Sequence, residues 1–492
     1  MLRTLNSSRR ILIQLHYRGI QTHAARDTTA KLSPSSMMGQ MARREREEGN
    51  ISSVFASLSG EGEKPLPPRF AELKRTIIGD EANQRRLVAG WGRLTKRLAE
   101  AAQEIEEKQQ DIIPQTTYNE FINGGSEELT TRIKNCGAVI IREVVDQQTA
   151  LKWLEDAKAY IAKNPSVKGF PENDKQVFEL YWSKTQLSAR SHPRSMATQR
   201  ALLSLFSHSP DAPVSLHTPL TYADRFRIRN PGDAQFALGP HADGGSVERW
   251  EDETYRRVYQ KCLEGKWEEY DAWTIGERAL AKQSMYEGPG ACGIFRAFQG
   301  WTSMSDTGPT EGTLKVYPLI KELTAYTMMR PLFRLEQNFL ERSIFQTPTG
   351  SLILRLHVSQ TRLSLGTKNM MTKLILISNW TGLWSAFQGL SLGTRHGGTE
   401  ANMIHAVESI HQGKGPSAVL YIPAVPLTPH NVEYIRDQKR LFMQGRPGPD
   451  FPGGVGESQF IDRGKIEDIE STEGKQALPP GNATYGNRQT KY

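Results

Sequence analysis

The residues whose types and spacing could do chemistry are Gly239-Pro240-His241-Ala242-Asp243-Gly244-Gly245. On an extended strand residues i and i+2 share a face, so an imidazole and a carboxylate at this spacing can reach one metal ion together. A histidine from a distant strand would complete two histidines and a carboxylate, the facial set that leaves positions open on ferrous iron. By itself His-x-Asp is short, and a loop histidine hydrogen-bonded to a neighbouring aspartate has the same spelling. Five histidines follow: His357, His396, His405, His411 and His430. His405, in Met403-Ile404-His405-Ala406-Val407, shortly precedes an apolar run. That position suits a ligand at a barrel mouth and a packed histidine at the core margin equally.

The elements that must position these residues are readable around them. Phe226 and Ile228 alternate with Arg225, Arg227 and Arg229, a period of two that predicts a half-buried strand closed by Asn230-Pro231-Gly232. Further strand-like runs are 312–320 and 417–427, and 136–146 reads as a buried strand ending at Asp146, which can cap a helix carrying Leu151, Leu154 and Ile161. Glu81 to Gln110 is charged and nearly free of Gly and Pro, which predicts a long solvated helix on the core's surface; a second helical stretch covers Gln199 to Phe206. The expected layout is a basic tail or transit peptide over 1–26, a linker over 27–65, a helical region over 66–135, a catalytic domain over 136–452 and a disordered tail over 453–492.

Composition narrows the partners. The 492 residues include only three cysteines, too few for a disulfide framework, and the longest apolar run is broken by prolines and too short to span a membrane. The net charge of +8 is not a nucleic-acid footprint: residues 1–26 and 342–399 hold eleven Lys/Arg and no acid, leaving the remainder at −3. A small-molecule substrate is the expected partner, with neither nucleic acid nor membrane, and the oligomeric state stays open.

Four blocks carry a resemblance: FELYWSKTQLSARSHPRSMATQRALLSLF, FRIRNPGDAQFALGPHADGGSVERWEDETYRRVY, FRAFQGWTSMSDTGPTEGTLKVYPLIKE and MIHAVESIHQGKGPSAVLYIPAVPLTPHNVEY. They resemble the family designated domain of unknown function 1479, over residues 65–335 and 400–452. That family in turn resembles the isopenicillin N synthase and clavaminate synthase group. The resemblance implies a mainly β fold with helical flanks, its core a double-stranded β-helix (jelly roll, cupin-like) packed by N-terminal helices. It also implies Fe(II) held by His241, Asp243 and His405, with 2-oxoglutarate as co-substrate for oxidation of a C–H bond.

The distal carboxylate of 2-oxoglutarate needs a cation, ideally a bidentate arginine, but the position where related oxygenases carry it is Pro416 here. Arg227, Arg229, Arg190 and Lys184 are the substitutes, each also fit to be an ordinary ion-paired charge. Trp182, Gln186, Arg249, Trp250, Trp301 and Ser303 are pocket candidates, core packing being the ordinary role of the aromatics. Two other classes fit the same residues: a silent jelly-roll binding protein with a vestigial metal site, and a cupin-type enzyme using another metal.

Residues 342–399 depart from the pattern. They contain no Asp or Glu, and GTRHGGTEAN stands where the family brings a strand with Gly-Asp and paired tryptophans. Either 334–399 is a basic insertion or it derives from a mis-spliced or frame-shifted reading of the gene. On the second reading, which the lost pattern favours, the segment was never selected to pair as strands, and His396 becomes a rival to His405.

The first 26 residues carry five arginines interleaved with Leu and Ile and no acid, the composition of a mitochondrial transit peptide, while their apolar run is too short for a secretory signal. The expected location is mitochondrial or cytoplasmic, not secreted. A reporter fused behind residues 1–26 is expected to enter mitochondria; one that stays in the cytosol removes the targeting reading.

Overall fold

Capping residues and apolar spacing decide where the helices lie. The computed structural model describes residues 46–48, 67–234, 241–242, 247–286, 291–333, 395–400 and 403–478, with His241 and 395–400 traced as backbone. Helix α1 spans Arg69–Ile78 and α2 spans Glu81–Lys108. The Asp80 carboxylate accepts the Asn83 N–H at 2.8 Å and so caps α2. Leu87, Trp91, Leu94, Leu98, Ala101 and Ile105 recur at three- and four-residue steps and are buried, so this helix drives a continuous apolar face into the core. Helix α3 (Glu127–Cys136) ends on Gly137, which takes φ 80°. Asp146 caps α4 (Gln147–Lys163) by accepting the Thr149 N–H at 2.9 Å, as the sequence indicates. Helices α5 (Lys184–Ser191), α6 (Pro193–Leu203), α7 (Ile320–Met329) and α8 (Pro429–Gln444) follow.

The strands are β1 (Gln115–Thr117), β2 (Ala138–Arg142), β3 (Gly169–Phe170), β4 (Val177–Phe178), β5 (Ser215–Leu220), β6 (Phe226–Arg229) and β7 (His241–Ala242). They continue as β8 (Phe298–Ser303), β9 (Leu314–Val316), β10 (Arg395–Glu400), β11 (Ile404–Val407), β12 (Ser417–Tyr421) and β13 (Val425–Leu427). An eight-stranded sheet has the order β1-β2-β10-β8-β12-β6-β4-β3, a second sheet the order β7-β11-β9, and β13 pairs with β5. From β6 to β12 successive strands therefore alternate between the two larger sheets. Helical residues outnumber strand residues among those described, and the strands are short. The expectation of a mainly β chain is corrected to a mixed one, because the helices before β6 and after β13 bury apolar faces of their own.

Three boundaries move as well. Residues 334–394 lie outside the described residues, but 395–400 form β10, antiparallel to β2 on one side and β8 on the other. The acid-poor segment thus ends in an interior strand of the large sheet, against the expectation that nothing in 334–399 would pair; a backbone ladder asks little of side-chain identity, and Gly397 and Gly398 fit it. In the expected linker, the Glu47 carbonyl accepts the Gly453 N–H at 2.9 Å and Glu48 pairs with Lys168. The expected tail is packed as far as Leu478, with Glu457, Ile469 and Leu478 at 1–2 % exposure, while 479–492 lie outside the described residues. Its polar composition is that of coil, but the body supplies its hydrogen-bond partners. No helix of the described residues is long and apolar enough to cross a membrane, and Cys136, Cys262 and Cys292 are free.

Glu457 is the clasp of that C-terminal segment. Its carboxylate accepts the Tyr160 hydroxyl at 2.9 Å and the N–H groups of Tyr181 and Trp182 at 2.6 and 2.9 Å. Burial nevertheless pushes its pKa up from 4.5 to about 7, the hydrogen bonds and Arg190 pulling the other way. A carboxyl raised in the folded state holds a proton that the unfolded chain has released, so stability falls as pH rises from about 4.5 to about 7. The full effect is on the order of 3 kcal/mol. Glu457→Gln is expected to flatten the denaturation-midpoint profile across that window; an unchanged slope would show that the group does not titrate there.

Candidate functional site

The site is built outward from β6. Phe226 and Ile228 enter the core, so alternation sends Arg227 and Arg229 to the opposite face of the large sheet. In register, Arg227 stands beside Val419 of β12, Val419 beside Ser303 of β8, and Tyr421 beside Trp301. Arg227, Tyr421 and Trp301 therefore share one face. Arg227 is 5 % exposed; burial holds its pKa below the usual arginine value, opposed by Tyr421, which hydrogen-bonds it.

Arg229 is committed to holding the sheets together. Its Nε donates to Asp233 Oδ2 at 2.6 Å, and both side chains are almost fully buried. Its Nη1 donates to the Glu408 carbonyl at 2.7 Å, and Nη2 to the carbonyls of Asp233 and Ser409 at 3.0 and 3.1 Å. Glu408 follows β11 directly, and its carboxylate accepts the N–H groups of Thr310, Gly312 and Thr313 at 2.8–2.9 Å. Gly312 has φ +79°, and a Cβ there would lie 3.1 Å from the Arg229 guanidinium, so the knot closes only around glycine. It ties the end of β6 to the start of β9 and the end of β11.

Strand β11 carries His405. In register, His405 stands opposite His241 of β7 on one side and Val316 of β9 on the other. His405 is 8 % exposed, and its Nδ1 lies 3.0 Å from the Met403 carbonyl. Asp243 lies outside the described residues, and among those described no three His, Cys, Asp or Glu are grouped to hold a metal. The rival, His396, stands in β10 in register with Ile141 and Thr302, within the other sheet. His411 is buried, with Nε2 2.9 Å from the Gly415 carbonyl and Nδ1 accepting the Gly413 N–H. The His430 Nε2 lies 2.7 Å from the Gly293 carbonyl, and His357 lies outside the described residues.

The remaining sequence candidates separate clearly. Lys184 pairs with Asp468 at the surface and Arg229 with Asp233, while Arg190 donates to the Tyr181 carbonyl beside the Trp182 ring. Of the four cations named for the co-substrate, Arg227 and Arg229 stand on the face that carries Tyr421 and Trp301; Arg229 is committed to Asp233 and to the carbonyls of Glu408 and Ser409, whereas Arg227 hydrogen-bonds Tyr421. Trp182 donates to the Arg446 carbonyl, Gln186 to those of Leu180 and Asp224, Trp250 to that of Met328 and Ser303 to that of Ser305, so these four serve the framework. Arg249 is buried on a short helix. Sequence reasoning missed Glu408, Asp233 and Tyr421; the signal for Glu408 was an acid three residues beyond His405 among small and polar neighbours.

The family model described as Gig2-like matches residues 64–373 and 400–480. The match extends through 334–373, beyond the four resembling blocks, so that part of the acid-poor stretch lies within the family's sequence. A related protein is YbiU of Escherichia coli K12, 28% identical over 364 residues, which cover 71% of this chain and 81% of YbiU. The crystal structure of GlcNAc inducible gene 2 (GIG2, DUF1479) from Candida albicans superposes with a TM-score of 0.71 at 26% identity, covering 87% of this chain and 92% of that one. A Salmonella typhimurium LT2 protein described as a candidate oxidoreductase superposes with a TM-score of 0.68 at 25% identity, covering 85% and 99%.

Arg229→Ala removes the buried cation paired with Asp233 and is expected to cost about 3–5 kcal/mol in chemical denaturation. The double change Arg229→Met with Asp233→Leu, which removes both charges, is expected to cost clearly less. An Arg229→Ala loss below about 1 kcal/mol, the range of exposed pairs, would show that the knot is not a structural tie.

Proposed function

This chain belongs to the Gig2-like family, and we propose that it is a non-haem Fe(II)-dependent oxygenase using 2-oxoglutarate, with His241, Asp243 and His405 as metal ligands. The observation that carries the reading is the register of β7 and β11, which sets His241 directly opposite His405 although the two are far apart in sequence. Directly opposed residues of an antiparallel pair share a face with Cβ atoms about 4.5–5.5 Å apart, within reach of one ion. Asp243 follows two residues after His241. The alternation of β6 to β12 between two sheets supports a double-stranded β-helix reading of this part of the chain, with the site lying between the sheets.

The hydrogen bond of His405 fits a ligand. With Nδ1–H donating to the Met403 carbonyl, the neutral imidazole keeps its lone pair on Nε2. Arg227 would hold the distal carboxylate of 2-oxoglutarate: its guanidinium stays charged, its desolvated position strengthens the attraction, and Tyr421 fixes its orientation. Trp301, on the same face, offers a flat apolar surface for the carbon chain or the substrate. When bound, ferrous iron with 2-oxoglutarate supplies activation of O₂ for oxidising a C–H bond. The knot at Arg229 and Glu408 holds β11, and with it His405, while that happens. The Salmonella relative described as a candidate oxidoreductase supports the enzyme class.

Purified protein is expected to bind one ferrous ion per chain under anaerobic titration and to release succinate from 2-oxoglutarate only with O₂. His241→Ala and His405→Ala are each expected to remove both properties, and Arg227→Gln to weaken 2-oxoglutarate binding by about 10- to 100-fold, the worth of a charge-assisted pair. Full iron stoichiometry in both histidine variants would defeat the ligand assignment. Turnover with another metal in the absence of O₂ would favour the cupin-type reading, and a silent wild-type protein the vestigial one.

A further inference from the structure

We propose that the substrate of the site assigned above is a flat organic acid, its ring lying on Trp301 and its carboxylate meeting Arg142; the inference rests on that assignment. The face of the large sheet that carries Arg227 and Tyr421 also carries Gln299 and Trp301 of β8, and through the register of β10 it carries Arg142 of β2. The two faces of the sheet differ in burial. Trp301, Gln299, Tyr421 and Arg142 are half-buried, whereas Phe298, Thr302, Leu420 and Ile141, which alternate with them, are buried. The strand that carries His405 crosses the more open face. Ahead of β11, Met403 stands against Gly137 at the start of β2, where an added Cβ would lie 2.7 Å from the Met403 Cε. Beyond β11, the Glu408 carbonyl meets Arg229 at the end of β6. A line between those two contacts passes over β10, β8 and β12, and β8, which holds Trp301, is the middle strand of that crossing.

In register, the neighbour of Trp301 in β12 is Tyr421, but its neighbour in β10 is Gly397, which has no side chain to lay against the indole. A strip of backbone beside an aromatic ring suits another flat ring, which stacks on the indole and lies along the strip. Arg142 supplies the charge. Its guanidinium donates to Gln115 Oε1 and, among the described residues, pairs with no acid. Gln115 is neutral, so it orients the guanidinium without neutralising it, and donors remain for a carboxylate. Arg142 stands two strands from Trp301 and two residues along, on the order of 12 Å between Cα atoms. The length of the arginine side chain shortens that span to the reach of one ring with a short acid arm. Strands β1, β2, β6, β8 and β12 contain no acidic residue that could hold an amine instead, and one cation matches one negative charge. Arg227 stays with the co-substrate, so each arginine of this face takes a different carboxylate.

The test is calorimetric titration of the full chain, read independently of turnover, with three probes: indole-3-acetate, its neutral counterpart indole-3-acetamide, and cyclohexylacetate, an acid without a flat ring. Wild type is expected to hold indole-3-acetate about 10-fold or more tighter than either of the others. Arg142→Gln is expected to erase the preference for acid over amide, and Trp301→Leu the preference for the flat ring, with thermal melting as the check on folding. Should Trp301→Leu fail to fold, the Arg142→Gln comparison decides. An acid preference that survives Arg142→Gln overturns the inference, as does a wild type that does not favour indole-3-acetate. A loss of 2-oxoglutarate affinity in Arg142→Gln also overturns it, by making this arginine the co-substrate's anchor. Iron stoichiometry on the same samples separates the two readings: an intact iron site with no acid preference refutes this inference alone, and an absent iron site refutes the function on which it rests.

Discussion

The buried guanidinium of Arg229 is the constraint on which the arrangement of the two larger sheets depends. It is removed from water, so each of its donors must find a partner inside the protein, and the partners come from the turn after β6 and the turn after β11. Glu408 completes the circuit by accepting three N–H groups ahead of β9. None of these groups can shift without leaving another unpaired, so the strands they terminate are held in one mutual register. His405 stands three residues before Glu408, on the strand so fixed.

Two buried arginines in one chain show how differently the same side chain can be used. Arg229 is neutralised by Asp233 and satisfied by main-chain carbonyls, and it acts as a tie. Arg190 donates to one carbonyl and lies beside an aromatic face. Arg227 falls between them, buried in the sheet and oriented by a tyrosine hydroxyl. The difference is not in the residue but in how many acceptors the neighbouring elements present.

The termini of the described body are less peripheral than their composition implies. Residues 46–48 add a short bridge beside Gly453, and the stretch to Leu478 supplies Glu457 to the N–H groups of Tyr181 and Trp182, at the entrance to α5. A polar, glycine-rich segment buries few apolar side chains, but it can still be ordered when the body offers donors and acceptors in fixed positions.

Much was legible in the sequence because it depends on neighbours along the chain. The cap at Asp146, the alternation in β6, and the strands at 138–142, 314–316 and 417–421 all follow from local spacing and turn residues. The His-x-Asp motif and the family blocks likewise marked His241, Asp243 and His405 as residues to watch. Tertiary structure alone decided the rest, since it turns on which strands become neighbours. That choice set His405 opposite His241 and His396 in the other sheet, spent Lys184 on Asp468 and Arg229 in part on the carbonyls of Glu408 and Ser409, and left Arg227 beside Tyr421. Spacing along a strand gives the face a residue takes; only the pairing of strands, which no local pattern encodes, gives what stands across from it.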